Sequence, residues 1–297
     1  LTLFPYTTLF RSGSTIKPFL YSLAMENGFT PCDMAPNRQQ TYIVAGRRWT
    51  PRNANHSRYG QMVPLKWGLA QSNNWISAYL MSKLNPQQFV QLLRDYGINN
   101  PDIHASMSLC LGPCEVSVSE MVSAYTAFAN HGIRTSPLFV SRIEDNEGNT
   151  IATFQPRMSE VISADNAMKM LTMLMGVVDQ GTAGRLRYRY NMEGQIGAKT
   201  GTTNNNSDGW FIGFTPQLVT GCWVGGEDRD IHFDSMSMGQ GATMALPIWA
   251  IFMKKVYADP TLGFSPMEKF DIPADYNPCA SQTEDEFGEE GIDEVFE

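Results

Sequence analysis

No stretch of this 297-residue chain approaches the roughly 20 consecutive apolar residues that cross a bilayer. Residues 1–12 also lack the basic start, long apolar core and small-residue cleavage site of a secretory signal. Histidine and cysteine are scarce, at four and five residues. The histidines are scattered, and neither an HExxH nor a paired CxxC occurs, so no metal and no other cofactor is expected. The cysteines stand at irregular spacing and give no disulfide framework. Cys110 and Cys114 are close enough in sequence to pair, but two buried free thiols fit equally well, and the odd total leaves at least one unpaired.

A basic surplus is missing too. The net charge is -8, and its location matters: from Glu284 to Glu297 there are eight acidic residues and no basic one. Removing those eight from the 30 acidic residues leaves 22, equal to the 22 basic ones. A formally neutral body argues against nucleic acid as a partner. Residues 279–297 read as a solvated acidic extension with too little apolar content to order itself.

A hydrophobic content of 42% is enough for one large domain or two small ones. A helix is expected from about Ser14 through "TIKPFLYSLAMENG", stopping at Gly28. The Pro-, Asn- and Arg-rich segment up to Met62 reads as loop with short strands. "PLKWGLAQSNNWISAYLMSKL" reads as two helical pieces meeting at Ser72–Asn74. "PQQFVQLLRDYGI" and "VSVSEMVSAYTAFANHGI" have helical periodicity and end in glycine. "PLFVSRIEDNEGNTIATF" reads as a hairpin, and "SADNAMKMLTMLMGVVDQG" as a helix whose methionines face a core. Three β-rich runs, 195–203, 208–215 and 218–226, predict an antiparallel meander, and "MALPIWAIFMKKVY" a closing helix. Helices, then strands, then a helix give a mixed α/β or an α+β fold, with an antiparallel sheet flanked by helices.

Three short motifs carry chemistry. Ser14 and Lys17 lie three apart, so on a helix they share a face. A serine hydroxyl becomes a nucleophile when a base takes its proton, and a lysine is such a base once burial lowers its pKa. Ser72-Asn73-Asn74 is an S-x-N at a break between helices. Lys199-Thr200-Gly201-Thr202 is a K-T-G-T on a strand, where a cation and two hydroxyls are expected along one side and Gly201 gives a ligand close access to the backbone. Taken singly, each has an ordinary structural reading: a capping serine, a polar helix junction, a strand end.

S-x-x-K, S-x-N and K-T-G in this order resemble the signature of penicillin-binding proteins and class A β-lactamases. "WTPRNANHSRYG", "GVVDQGTAGRL", "GAKTGTTNNNSDGWFIGFTP" and the helix after "GQGATMALPIW" narrow the resemblance to the transpeptidase domain of class A, high-molecular-mass penicillin-binding proteins, over residues 13–262. The resemblance implies that Ser14 is the acylated nucleophile, Lys17 its general base and Ser72 a proton relay to the leaving nitrogen. Asn74 would hydrogen-bond the substrate backbone, Lys199 would tune the site, and Thr200 and Thr202 would hold the substrate carboxylate beside Gly201. The backbone N–H groups of Ser14 and Thr202 would form an oxyanion hole. Peptidoglycan stem peptides and β-lactams are the implied partners, and the outer face of the cytoplasmic membrane the implied location. An anchor and a glycosyltransferase domain would lie upstream.

The sequence departs from the pattern in two places. Asn73 and Trp75 stand where smaller or apolar residues are expected, and Ser12 where a proline usually precedes the glycine. Residues 1–12, "LTLFPYTTLFRS", resemble translated sequencing adapter, so the natural sequence is expected to start at Gly13 and the sheet to lack its first strands. Three rival activities stay open on the motifs. A β-lactamase would need a deacylating E-x-x-L-N, absent between Asn74 and Lys199. A D,D-carboxypeptidase differs only in using water as acceptor, and a non-catalytic β-lactam sensor or scaffold would owe its role to neighbouring domains.

Overall fold

A computed structural model describes residues 9–226, 228 and 230–280 of the chain. Helix α1 (Lys17–Glu26) follows a 3-10 turn at Gly13–Ile16, so Ser14 lies just ahead of the α-helix, not at its first residue. Pro18 is tolerated there because first-turn N–H groups have no intrahelical acceptor. Gly28, at φ +85°, ends the element as expected. Next come α2 (Leu65–Ala70) and α3 (Asn74–Lys83), broken apart at Ser72, then α4 (Pro86–Asp95) and α5 (Val118–Ala129). Ser117 and Glu120 close a capping box on α5. Then follow α6 (Ala164–Asp179), the single turns α7 (Arg185–Tyr188) and α8 (Met236–Gly239), and the long α9 (Gly241–Ala258).

The meander forms as a three-stranded antiparallel sheet, Gly197–Thr202, Asp208–Phe214 and Val219–Gly225, in sequential order. Helix α9 covers one face. A Cβ added at Gly209 or Gly213 would meet Met244 or Trp249 of that helix at 2.4 and 2.6 Å, so glycine is what lets α9 lie this close. On the other face Gly221 lies against Val118 and Val122 of α5, and α6 packs along Gly197–Thr202. Behind them Phe19 of α1 meets Tyr96, Tyr125 and Phe128 at ring-centroid distances of 4.8, 5.5 and 5.6 Å. Each such buried aromatic pair adds roughly 0.5–1.5 kcal/mol beyond area burial. This core fixes α1, and with it the position of Lys17. The methionine face of α6 is core as expected, with Met170 and Met173 buried.

The Val219–Gly225 strand has no strand partner on its outer side among the described residues. Phe10 stacks on its Trp223 with centroids 3.5 Å apart, yet the Phe10–Arg11 backbone pairs with Glu115–Val116, away from that edge. Residues 1–8 of the adapter-like stretch, and 281–297 of the acidic one, lie outside the described residues.

The cysteine reading needs correction. Cys32, just beyond α1, is disulfide-bonded to Cys279, a residue the sequence placed in the acidic extension. Spacing could not reveal a pair 247 residues apart. Cys110 and Cys114 are both free and buried. Residues past the expected boundary at 262 also pack on the body: Phe270 is buried against Phe214, and its N–H donates to Gln195 Oε1 at 2.7 Å. Among the described residues no helix is long and apolar enough to cross a membrane.

Candidate active site

The turn carrying Ser14 is wedged between two backbones. Gly13 has φ +51°, and a Cβ there would come to 3.0 Å of Thr202 O. Gly112, φ +70°, passes so close beneath that its Cβ would sit 2.0 Å from Gly13 O. No side chain fits at either position, which sets the Ser14 turn directly against the end of the K-T-G-T strand. Ser12 is buried and its N–H donates to Cys114 O at 2.9 Å, a bond the expected proline could not make.

Lys17, Ser72 and Lys199 converge below this turn. Ser72 takes φ +52°, a left-handed conformation that costs a non-glycine residue on the order of 1–2 kcal/mol and that sits between α2 and α3. Its hydroxyl lies 2.9 Å from Lys199 Nζ and 3.4 Å from Lys17 Nζ. Lys17 Nζ also donates to Ser72 O and Asn74 Oδ1, each at 2.6 Å, and Lys199 Nζ to Thr200 O at 2.8 Å. Both lysines are fully buried, and no carboxylate forms an ion pair with either among the described residues. Burial therefore lowers the pKa of Lys17 to about 7. Lys199 falls well below its ordinary value, from desolvation first and from the neighbouring Lys17 second. As a neutral amine Lys17 has two hydrogens, matching its two short acceptors, and keeps a lone pair free to take a proton.

The two unexpected residues around the second motif have structural work. Asn73 caps α3, its Oδ1 accepting from the N–H groups of Trp75 and Ile76 at 2.9 and 3.1 Å. Trp75 is buried and its Nε1 donates to Pro51 O at 3.1 Å. Asn74 then donates from its backbone to Asn53 Oδ1 and from Nδ2 to Arg52 O, at 2.9 and 2.7 Å. These bonds clamp the "TPRN" loop to the motif.

The strand reading is corrected by the pleat. Lys199 pairs with Ile212 and Gly201 with Trp210 on the inner face, while Thr200 and Thr202 alternate to the opposite one. The cation and the hydroxyls therefore do not share a side. Gly201 serves packing rather than ligand access, for its Cβ would meet Thr15 Cγ2 at 2.8 Å and Trp210 Cβ at 2.9 Å. Thr200 Oγ1 is 2.7 Å from Thr182 Oγ1, and Thr202 Oγ1 accepts from Gly241 N–H at the start of α9, 3.0 Å away.

A cleft of about 840 Å³ runs over this assembly, with Ser14, Ser72, Asn74, Thr200 and Thr202 on its surface. All eight residues singled out from the sequence thus meet at one place, Lys17, Lys199 and Gly201 beneath the surface and the other five on it. Ser14 Oγ makes no hydrogen bond among the described residues, leaving it open to a ligand. Thr182 and Arg52 also line the cleft and were not singled out. The "GVVDQGTAGRL" string contains Thr182 but has no spacing relation to K-T-G-T that would mark it.

The fold and the three motifs around one cleft define the class, and the chain belongs to the penicillin binding protein transpeptidase domain family, which matches residues 2–222. Among individual proteins, it is 33% identical over 263 residues to penicillin-binding protein 1A of Aquifex aeolicus, covering 88% of this chain and 34% of that protein. It is 34% identical to penicillin-binding protein 1A of Neisseria lactamica over 254 residues, 82% of this chain and 31% of the relative. The chain thus spans about a third of the length of these curated relatives. The crystal structure of penicillin-binding protein 1A from Haemophilus influenzae superposes with a TM-score of 0.81 at 26% identity, over 91% of this chain and 45% of that one. PonA1 of Mycobacterium tuberculosis in complex with penicillin V shares the fold, with a TM-score of 0.74 at 23% identity over 93% of this chain and 75% of that one.

Proposed function

We propose that this chain is a D,D-transpeptidase that crosslinks peptidoglycan through an acyl-enzyme on Ser14. The observation that carries the reading is the Ser72 hydroxyl held between two buried, carboxylate-free lysines directly under a cleft that exposes Ser14. Ser14 Oγ attacks the carbonyl carbon of the penultimate D-alanine while the neutral amine of Lys17 takes its proton. Negative charge gathers on the carbonyl oxygen, which the N–H groups of Ser14 and Thr202 receive. The C–N bond then breaks, and the proton returns through Ser72 to the leaving D-alanine nitrogen. An amine of a second strand attacks the ester, gives up a proton by the reverse route, and leaves an amide and free Ser14. Asn74 aligns the donor backbone, Lys199 Nζ holds the Ser72 hydroxyl in place, and Thr200 and Thr202 hold the donor carboxylate. A β-lactam acylates Ser14 in place of the peptide.

The family relationship supports a parent protein that also carries a glycosyltransferase domain and a membrane anchor and works outside the cytoplasm. The Cys32–Cys279 disulfide supports such an oxidising location independently. The test is to supply a donor ending in D-Ala-D-Ala together with a D-amino acid acceptor and to follow products by mass spectrometry. Free D-alanine plus the new amide is the expected result. Hydrolysis alone would make the enzyme a carboxypeptidase, and no D-alanine release at all would overturn the reading.

A further inference from the structure

Between Asp33 and Asp95 the chain has no acidic residue and eight basic ones. Because the body without its acidic extension is neutral, the rest of that body carries a balancing excess of eight acidic residues. The one-sign stretch forms a wall of the cleft: Trp49, Arg52 and Asn53 line it directly. Arg52 is the one ionisable side chain among the described residues on the cleft surface. Its backbone is fixed by Asn74 Nδ2, and the adjacent Asn53 by Asn74 N–H, so this charge is placed relative to the S-x-N motif and not left on a free loop. In the hairpin Tyr42–Val44/Arg47–Trp49, Arg47 lies two residues from cleft-lining Trp49, on the same face. Both arginines are exposed, and neither forms an ion pair among the described residues.

We infer that Arg52, assisted by Arg47, is a specificity-determining carboxylate site of the cleft, selecting acyl donors that carry a carboxylate in addition to the terminal one. An unpaired guanidinium offers two parallel N–H donors that match a carboxylate, and among the described residues no carboxylate forms an ion pair with it. The inference rests on the transpeptidase reading, because it takes the cleft to be the donor site of Ser14.

Two β-lactams isolate the effect. Carbenicillin differs from benzylpenicillin by one extra side-chain carboxylate, and both acylate the same serine. The quantity to measure is the ratio of their second-order acylation rates at low ionic strength. Arg52→Gln should lower the carbenicillin-to-benzylpenicillin ratio about two- to five-fold, the range of one exposed ion pair. The double variant Arg47→Gln/Arg52→Gln should lower it further, and Arg52→Lys should restore part of it. The wild type gives a measure that needs no variant to fold: high salt should lower its ratio by a similar factor, since screening acts on the exposed pair. A ratio unmoved by salt and by the double variant overturns the carboxylate site while leaving the transpeptidase reading in place. A wild type that benzylpenicillin does not acylate overturns both.

Discussion

If Lys17 takes the Ser14 proton, acylation can proceed only from the neutral amine, so its rate should follow the titration of one buried side chain. Complete burial lowers that group from 10.5 to about 7. At pH 7 the neutral fraction therefore rises from roughly 3 in 10,000, the value for an ordinary lysine, to about a half. Cys110, whose thiol burial pushes up to about 12, stays neutral over the working range and supplies no anion to hold the ammonium form. The sign is fixed by the chemistry: activity is present above the Lys17 pKa and lost as pH falls through it. Acylation by a fluorescent penicillin, timed from pH 5 to 9 with circular dichroism to confirm the fold, should fall about tenfold per pH unit below pH 7 and level off above. A flat profile, or one still climbing past pH 9, would refute Lys17 as the base with this environment.

Other consequences can be measured separately. Lys17→Ala should slow acylation by at least about a hundredfold with little change in the concentration giving half-saturation, as removal of a general base does; an unaltered rate would assign the base elsewhere. Thr202→Val, which deprives Gly241 N–H of its acceptor, should cost about 1 kcal/mol of stability and weaken saturation by carboxylate-bearing β-lactams; collapse of the melting transition would make Thr202 a packing residue. Gly201→Ala forces a Cβ to within 2.8–2.9 Å of Thr15 and Trp210 and should destabilise the fold by about 1–3 kcal/mol, visible in calorimetry as a lower Tm together with slower acylation. Replacing Cys32 and Cys279 by alanine opens a loop of 247 residues, for which chain entropy gives an upper value of about 5.5 kcal/mol; an unchanged Tm would show that residues 263–280 hold without the bridge.

Local patterns carried much of this structure in plain view. Ser14-x-x-Lys17 leads into α1, Ser72-Asn73-Asn74 falls at the break between α2 and α3, and the meander matches the expected runs to within about two residues at each end. These are features of hydrophobic period and turn chemistry, which act over a few residues. What stayed hidden depends on distant approach. Nothing near Cys32 marks Cys279 as its partner, and nothing near Thr200 points to Thr182. The K-T-G-T motif taken as a unit puts the cation and the hydroxyls together, whereas the strand's period of two sets Lys199 and Thr200 on opposite faces. A glycine in this motif suggests ligand access, but it is the approach of the strand to Thr15 and the backbone of Ser12 that leaves no room for a side chain at Gly201. Asn73 and Trp75 looked anomalous only until their partners, two α3 amides and Pro51 O, were in place.

The central claim is that Ser14 is the acylated atom's residue, and peptide mapping by mass spectrometry after exposure to benzylpenicillin tests it most directly. The expected result is a single penicilloyl adduct on the peptide containing Ser14, absent from Ser14→Ala protein that melts like the wild type. An adduct on any other residue, or undiminished labelling of Ser14→Ala, would contradict it.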